Sequence, residues 1–188
     1  MEDVAAAAGL SSATAYNRFG SKHALMGHVY LPIVESVLTS NPSTFATAND
    51  AIEAVEAHVR ALCAVMRRNQ SLTVAFIGAV QDATVIRRGA NAVAPADDPD
   101  DPRAIVPLPK ALAGLIEVGQ TQGFLRTFPA ARDIAGSTVN LLLLRIQNYP
   151  AESADSTAEI TLTLLFGMVA PHLLVDAGPE GRPFAKAQ

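Results

Sequence analysis

Small polar side chains and one tyrosine follow a glycine near the start of the chain, a pattern suited to hydrogen bonding rather than to catalysis. Hydroxyl, amide and ammonium groups occur between Ser11 and Lys22, in a stretch that reads SSATAYNRFGSK. Serine and asparagine can hydrogen-bond the edges of bases, and asparagine suits adenine. Hydroxyl and ammonium groups suit phosphate oxygens. The stretch therefore indicates a surface that contacts DNA.

Two short helices must hold these side chains. The first predicted helix ends at Gly9, which can adopt the positive φ that closes a helix, and the second covers 12–19 with Ser11 as its N-cap. Ala5 and Ala15 are small enough to let the two helices pack closely. Such a helix-turn-helix places its second helix in the major groove. The buried face that we predict for this unit comprises Val4, Leu10, Ala15, Phe19 and Leu25.

The same stretch resembles the helix-turn-helix of the tetracycline-repressor (TetR) family. The resemblance rests on VAAAAGLS at 4–11, ATAYNRF at 13–19 and GSK at 20–22, followed by Ala24 and Leu25. It is specific over roughly residues 2–30 and only architectural thereafter. The resemblance implies a dimeric one-component regulator, usually a repressor, whose C-terminal helices bind a small molecule.

The outer face of the second helix carries the candidate DNA contacts. The resemblance implies that Tyr16 and Lys22 hold the DNA backbone and that Ser12, Ala13 and Asn17 face base edges. Tyr16 could instead cover the small core, and Lys22 could be an ordinary solvated lysine. The hydroxyl of Thr14 suits phosphate, and the capped N-terminus of the helix brings its positive end near phosphates. The full candidate set is Ser11, Ser12, Ala13, Thr14, Tyr16, Asn17 and Lys22.

The start of the sequence departs from the family pattern. The family places another helix before this unit, whereas this sequence begins at Met1 in the first turn of the next helix. Without that helix Val4 and Phe19 lose part of their packing surface, at a cost of about 1.5–3 kcal/mol each. We therefore expect Met1 to be a late start or a truncation, and the 188-residue chain to bind DNA poorly or not at all.

Composition limits the other function classes. A net charge of −4 argues against a protein coated with basic residues, although a DNA-binding end needs only local positive potential. The single cysteine, Cys63, excludes an intrachain disulfide and a cysteine-rich zinc site. The sequence has no glycine-rich phosphate loop and its four histidines are scattered, so we expect no enzyme activity and no cofactor. A calcium site at Asp97, Asp98, Asp100 and Asp101 lacks the glycine and glutamate of an EF-hand loop.

No signal-peptide pattern occurs, so a cytoplasmic location is the default expectation. The most apolar run, 160–175, is interrupted by polar residues and falls short of the ~20 apolar residues that a membrane span needs. We therefore read it as a buried helix and expect no membrane association.

Apolar periodicity predicts an all-α fold with a helix-turn-helix domain over 1–40, N-terminally incomplete, and a helical effector-binding and dimerisation domain over 41–188. Pro32 should kink or break the helix that begins after Ser21. Asp50 should open the next helix, with Glu53 completing a capping-box-like pattern. The remaining predicted helices cover 72–88, ending at Gly89, then 107–123, 129–148 and 153–174, with a solvated loop over 90–103.

The helices between residues 50 and 123 should enclose a small apolar effector, because they offer apolar walls with few polar groups. The alternative is that all of these candidates are ordinary core residues and that His58 is a surface or satisfied histidine. The candidate lining residues are His58, Val59, Leu62, Cys63, Met66, Phe76, Val80, Leu112 and Ile116.

The last two long helices are apolar over more than one face, especially at 141–144 and 162–166. One face can serve the subunit's own core, and the surplus favours a second copy of the chain. A two-fold dimer would place two reading helices in successive major grooves about 34–36 Å apart, so the DNA partner should be a palindromic operator. The alternative is a helical dimer that binds a ligand or a protein partner but no longer binds DNA.

Overall fold

The structure, a computed structural model, describes residues 1–39, 44–88 and 98–169, and every regular element in those ranges is a helix. This confirms the all-α fold for the described part of the chain. The helices are α1 (Glu2–Ala7), α2 (Ser12–Phe19), α3 (Lys22–Leu38), α4 (Ala48–Arg68), α5 (Gln70–Arg88), α6 (Pro102–Ile105), α7 (Leu108–Thr121), α8 (Ala131–Asn148) and α9 (Ala154–Val169).

The helix α3 links the N-terminal unit to the helical body formed by α4–α9. Ser21 caps it as predicted, accepting a hydrogen bond of 3.0 Å from the amide of Ala24. The predicted break at Pro32 is wrong, because the helix continues to residue 38. Pro32 and His28 are both exposed, so water can solvate the carbonyl that the proline ring leaves without an amide donor.

The first turn of α4 begins earlier than predicted. Thr47 is the N-cap, and its hydroxyl accepts from the amide of Asp50 at 3.2 Å while the Asp50 carboxylate accepts from the amide of Thr47 at 2.8 Å. Asp50 is therefore the third residue of a capping box rather than the residue that opens the helix, and Glu53 has no part in it.

The core lies where α3, α4, α5, α7, α8 and α9 meet. On α4, Val55, Val59, Leu62 and Met66 are buried, and Ile52 is half-buried against the core. On α7 and α8, the buried apolar residues are Leu112, Leu115, Ile116, Ile134, Val139, Leu142 and Ile146. Val118, Leu141 and Leu143 are half-buried, and Leu144 is exposed. The largest fully buried side chains are Tyr30, Phe76, Leu62, Met66, Leu112, Ile116, Ile134, Leu142, Ile146, Leu165, Val34 and Val55.

The helix α5 turns a different face inward from the one that its apolar residues suggest. Phe76 and Ile77 are buried, whereas Val74 and Ile86 are exposed, the latter by 63%. Apolar residues surround nearly the whole helix, so the sequence pattern could not select one face. Packing against α3 selects the face that carries Thr73 and Phe76.

Part of the predicted solvated loop is structured. Asp101 is buried and caps the short helix α6, where its carboxylate accepts from the amide and the guanidinium of Arg103 at 2.7–3.0 Å. The helix α6 packs against α3, with Ile105 close to Gly27. Expectations for Gly89, for the loop at 90–97, for the domain boundary at 40 and for the helix beyond 169 lie outside the described residues.

Candidate nucleic-acid interface

The angle between α1 and α2 is set by a glycine and two alanines. Gly9 adopts φ +66°, and the amide of Leu10 donates to the carbonyl of Ala5 at 2.8 Å, which closes α1. Ala5 and Ala15 are both buried at the contact between the two helices. Larger side chains at these positions would separate the helices, as the sequence predicted.

The start of α2 is held by its N-cap. The Ser11 hydroxyl accepts from the amide of Thr14 at 3.1 Å and lies 2.8 Å from the Thr14 hydroxyl. Both hydroxyls are exposed, so they remain accessible while they fix the first turn. Gly20 ends the helix with φ +65°. An eight-residue helix is thereby fixed at both ends by local contacts.

The candidate contact residues are mostly on the surface of this unit. Ser12 is half-buried, and the other six are exposed: Ser11, Ala13, Thr14, Tyr16, Asn17 and Lys22. Helical spacing brings Ala13, Tyr16 and Asn17 onto adjoining parts of one face. That face can offer hydroxyl and amide groups to a partner of matching chemistry.

The predicted buried face of the unit is only partly correct. Val4 and Leu10 are 52% and 44% exposed, so their predicted burial is wrong, and Phe19 and Leu25 are half-buried. The helix α1 has six residues and packs mainly against α2. Ala5 is the residue of α1 that is buried in this contact. The Phe19 ring lies beside the imidazole ring of His28, with 5.8 Å between the ring centroids.

Lys22 has a carboxylate beside it that the sequence did not reveal. Its ammonium lies 3.4 Å from Oδ2 of Asp82 on α5, and Nε2 of His23 lies 3.7 Å from the same oxygen. His23 is buried, whereas Lys22 and Asp82 are exposed. Sixty residues separate the pair in the sequence, and no local pattern identifies such a contact.

A second carboxylate of the body approaches the turn between α2 and α3. The side chain of Asp100 lies so close to Gly20 that a β-carbon there would overlap its carboxylate. The glycine is thus required both by its positive φ and by this approach. At this turn, Gly20 and Lys22 therefore each lie beside a carboxylate from the helical body.

The nine candidate effector-lining residues come together in the core. Val80 is half-buried, and the other eight are buried: His58, Val59, Leu62, Cys63, Met66, Phe76, Leu112 and Ile116. Burial lowers the pKa of His58 and raises the pKa of Cys63 to about 12. Nε2 of His58 has no hydrogen-bond partner among the described residues.

A shallow groove of about 460 Å³ lies elsewhere, on the outer side of α7 and the start of α8. It shares no residue with the candidate effector-lining set. Its lining residues are Pro109, Lys110, Ala113, Gly114, Glu117 and Arg132.

The helices α8 and α9 expose apolar side chains on their outer faces. Leu144 and Leu164 are 54% and 53% exposed, and Ile160 is also exposed, although Leu142 and Leu165 serve the subunit's own core. Among the described residues, no helix combines the length and the apolarity that crossing a membrane requires.

Comparison with known proteins concerns the N-terminal unit. Residues 1–29, which comprise α1, α2 and the first part of α3, match the profile of bacterial regulatory proteins of the tetR family. No curated protein and no solved structure matches the chain. The matched residues include the closing Gly9, the Ser11 cap and the exposed face of α2. Proteins of this family are DNA-binding transcriptional regulators and not enzymes. Residues 1–29 of this chain therefore carry a unit that matches the tetR family of bacterial regulatory proteins.

Proposed function

We propose that a dimer of this chain represses transcription by binding a palindromic operator, and that a small apolar molecule entering the helical body releases it. The observation that carries the proposal is the exposed face of α2, held between the Ser11 cap and Gly20. The hydroxyl and amide groups on this face suit a helix that lies in the major groove of DNA.

On this face, Ser12, Ala13 and Asn17 are proposed to meet base edges, while Tyr16 and Lys22 meet phosphates. Asn17 can pair with adenine, and the methyl of Ala13 can contact thymine. Ser11 and Thr14 hold the first turn, whose amides then face the DNA backbone. The backbone contacts set the register and the base contacts set the sequence.

The dimer is proposed to form through α8 and α9. Leu144 and Leu164 lie on helices that also pack against each other, so their exposed side chains offer an apolar surface beside the subunit's own core. A two-fold axis through that surface would cover it with a copy of itself. Substituting Leu164 by glutamate should give monomers in sedimentation velocity, whereas glutamate at Val85, which is exposed on α5, should leave the dimer intact.

The effector is proposed to enter among the core residues around His58. A buried imidazole without a hydrogen-bond partner costs about 1–3 kcal/mol, and a ligand with one donor or acceptor group would recover that energy. The site would therefore select an apolar molecule that carries a single hydrogen-bonding group. Because the residues around it are close-packed, ligand entry would have to separate the helices that carry them.

One rival function has support of its own. Lys22 is engaged by Asp82, and acidic residues surround the turn after α2, which favours a helical dimer that binds a ligand or partner and has lost DNA binding. DNase footprinting on the DNA that flanks the gene separates the two functions. The footprint is sought with the 188-residue chain and with a version extended by the codons upstream of Met1.

A protected, two-fold symmetric site would support the regulator, and its absence with both versions would favour the rival function. Replacing Lys22 by alanine should weaken binding and reduce the log–log salt slope by about 0.9, because one phosphate contact is lost. The matched control is alanine at Lys110, an exposed lysine on α7. Weaker binding with an unchanged slope would remove Lys22 from the phosphate contacts.

A further inference from the structure

The acidic side chain of Asp82 meets the DNA-binding unit at the position where a phosphate is expected. Its Oδ2 lies 3.4 Å from the Lys22 ammonium, and both side chains are well exposed, by 60% and 63%. An exposed carboxylate and a DNA phosphate offer the same group to a lysine, an anionic oxygen acceptor. The carboxylate therefore competes directly with phosphate for this cation.

The same oxygen of Asp82 also lies close to a buried histidine. Nε2 of His23 lies 3.7 Å from the same oxygen and has no hydrogen-bond partner among the described residues. His23 is buried, whereas the side chain of Lys22 is exposed. Oδ2 of Asp82 thus lies beside a buried imidazole as well as beside the exposed ammonium.

The negative charge at this edge is reinforced by Asp100. Its carboxylate lies against Gly20, two residues before Lys22, on the turn that follows the reading helix. Two carboxylates from the helical body therefore meet the segment that joins α2 to α3. A phosphate brought to Lys22 would be repelled by both of them.

We propose that Asp82 is a built-in competitor of DNA: its carboxylate holds Lys22 in the unbound protein, and DNA must displace it to gain the phosphate contact. This inference rests on the proposed DNA-binding function. It assigns to α5, outside the matched N-terminal unit, a residue that lowers DNA affinity. Removing the carboxylate should therefore tighten binding, although none of the candidate DNA-contact residues is changed.

The test is the substitution Asp82→Asn, which keeps the side-chain size and removes the charge. Binding is measured by fluorescence anisotropy with a mixed-sequence duplex of about three helical turns at low ionic strength. The measurement uses either the 188-residue chain or the version extended upstream of Met1, whichever binds the duplex more tightly. Asp82→Asn should raise affinity about three- to fivefold, the range for an exposed charge pair near 4 Å. The same substitution in a Lys22→Ala background should give little gain, since no ammonium is left to release.

The matched control is Asp155→Asn, an equal change of charge on α9, which packs against α4 and α8 rather than against the N-terminal unit. A gain for Asp82→Asn that depends on Lys22 and exceeds this control supports the proposal. Parent protein that binds the duplex while Asp82→Asn binds no more tightly overturns it and leaves the proposed function standing. An equal gain with and without Lys22 also overturns it, because the effect is then one of net charge. If no variant binds DNA, the proposed function fails and this proposal fails with it.

Discussion

The phenol of Tyr30 lies 2.8 Å from the hydroxyl of Thr73, and this buried hydrogen bond joins α3 to α5. Thr73 has one hydroxyl proton, which it directs at the carbonyls of Met66 and Asn69 at 3.0 and 3.1 Å. Tyr30 is therefore the donor and Thr73 the acceptor. The Tyr30 ring also stacks on Phe76, with 4.6 Å between centroids. The helix α3 is thus fixed to the helical body by a directional hydrogen bond and a ring contact.

The two ends of this hydrogen bond should differ in their contribution to stability. Tyr30→Phe leaves Thr73 still bonded to a carbonyl, so it should lower the free energy of unfolding by only about 1 kcal/mol. Thr73→Val leaves a buried phenol without an acceptor and should cost up to about 3 kcal/mol. Because the double variant removes both groups, it should be more stable than Thr73→Val alone. Urea unfolding measures all three, and a Tyr30→Phe variant less stable than Thr73→Val would contradict the assigned direction of the bond.

Alkaline unfolding should reveal two buried acids separately. Burial raises the pKa of Cys63 from 9.0 to about 12 and that of Tyr30 from 10.0 to about 12. A raised folded-state pKa gives stability that is full below the unfolded pKa and is lost as pH rises towards the folded one. For Cys63 the loss begins near pH 9.0 and reaches about 4 kcal/mol. Stability curves against pH should lose this first slope in Cys63→Ala and the later slope in Tyr30→Phe; unchanged slopes would show that neither group is shielded as described.

An ionic cluster fastens the end of α4 to the turn between α8 and α9. Glu152 accepts from Arg67 at 3.2 Å, from Arg145 at 3.1 Å and from the hydroxyl of Thr157 at 2.9 Å. Arg67 also donates to the carbonyl of Tyr149 at 2.9 Å. The side chains of the two arginines and the glutamate are largely buried. One carboxylate therefore serves two desolvated guanidinium groups.

Removing that carboxylate should be costly. Glu152→Gln leaves two buried cations without an anion, and we expect a loss of about 3 kcal/mol in the free energy of unfolding. The hydrogen bond from Arg145 holds the pKa of Glu152 below its ordinary value. Its contribution is therefore present above the unfolded pKa and is lost as pH falls through the folded one.

The glutamine variant should accordingly show a flatter loss of stability in acid. The matched control is Glu159→Gln, whose exposed pair with Arg60 should contribute little. Equal effects of the two substitutions would contradict the role given to burial.

Gly9 and Gly20 provide a paired test of backbone and side-chain strain. Both have positive φ, of +66° and +65°, so alanine at either should cost about 1–2 kcal/mol for the backbone. Gly9 has open space where a β-carbon would lie, whereas Gly20 faces the carboxylate of Asp100. Thermal unfolding should therefore show a larger loss for Gly20→Ala than for Gly9→Ala. The excess should disappear when Asp100→Ala is combined with it, and an excess that persists would point to another source of strain.

Local signals predicted the helix ends well, because a cap depends on residues within about four positions. Ser11 and Ser21 cap the helices they were expected to cap, and Gly9 closes α1. The start of α4 was placed too late because Thr47 and Asp50 are both good capping residues, and the sequence does not rank them. The N-caps of α2 and α3 were thus predicted correctly, and the start of α4 was misplaced by the length of one capping box.

Which apolar residues are buried could not be predicted in every helix. Val4, Leu10 and Ile86 have the same apolar character as buried residues, and only tertiary packing leaves them exposed. The partner of Lys22 was invisible for a similar reason, since Asp82 lies 60 positions away and belongs to the helical body. The candidate contact residues of α2 were predicted from helical position and from the family resemblance, whereas the carboxylate beside Lys22 was not.

Replacing His58 should separate stability from effector binding. His58→Leu removes a buried imidazole whose Nε2 has no partner among the described residues, so the free energy of unfolding should rise by about 1 kcal/mol. Burial lowers the pKa of His58, so the folded protein loses stability as pH falls below the ordinary value of 6.5, because the unfolded chain takes up the proton more readily. The leucine variant should therefore lose the acid-side slope that begins near pH 6.5. A leucine variant less stable than the parent at neutral pH would show that the imidazole is satisfied. If the core around His58 is the effector site, the leucine variant should also stay bound to DNA when effector is added. The reason is that the substitution removes the imidazole that would be the ligand's hydrogen-bond partner.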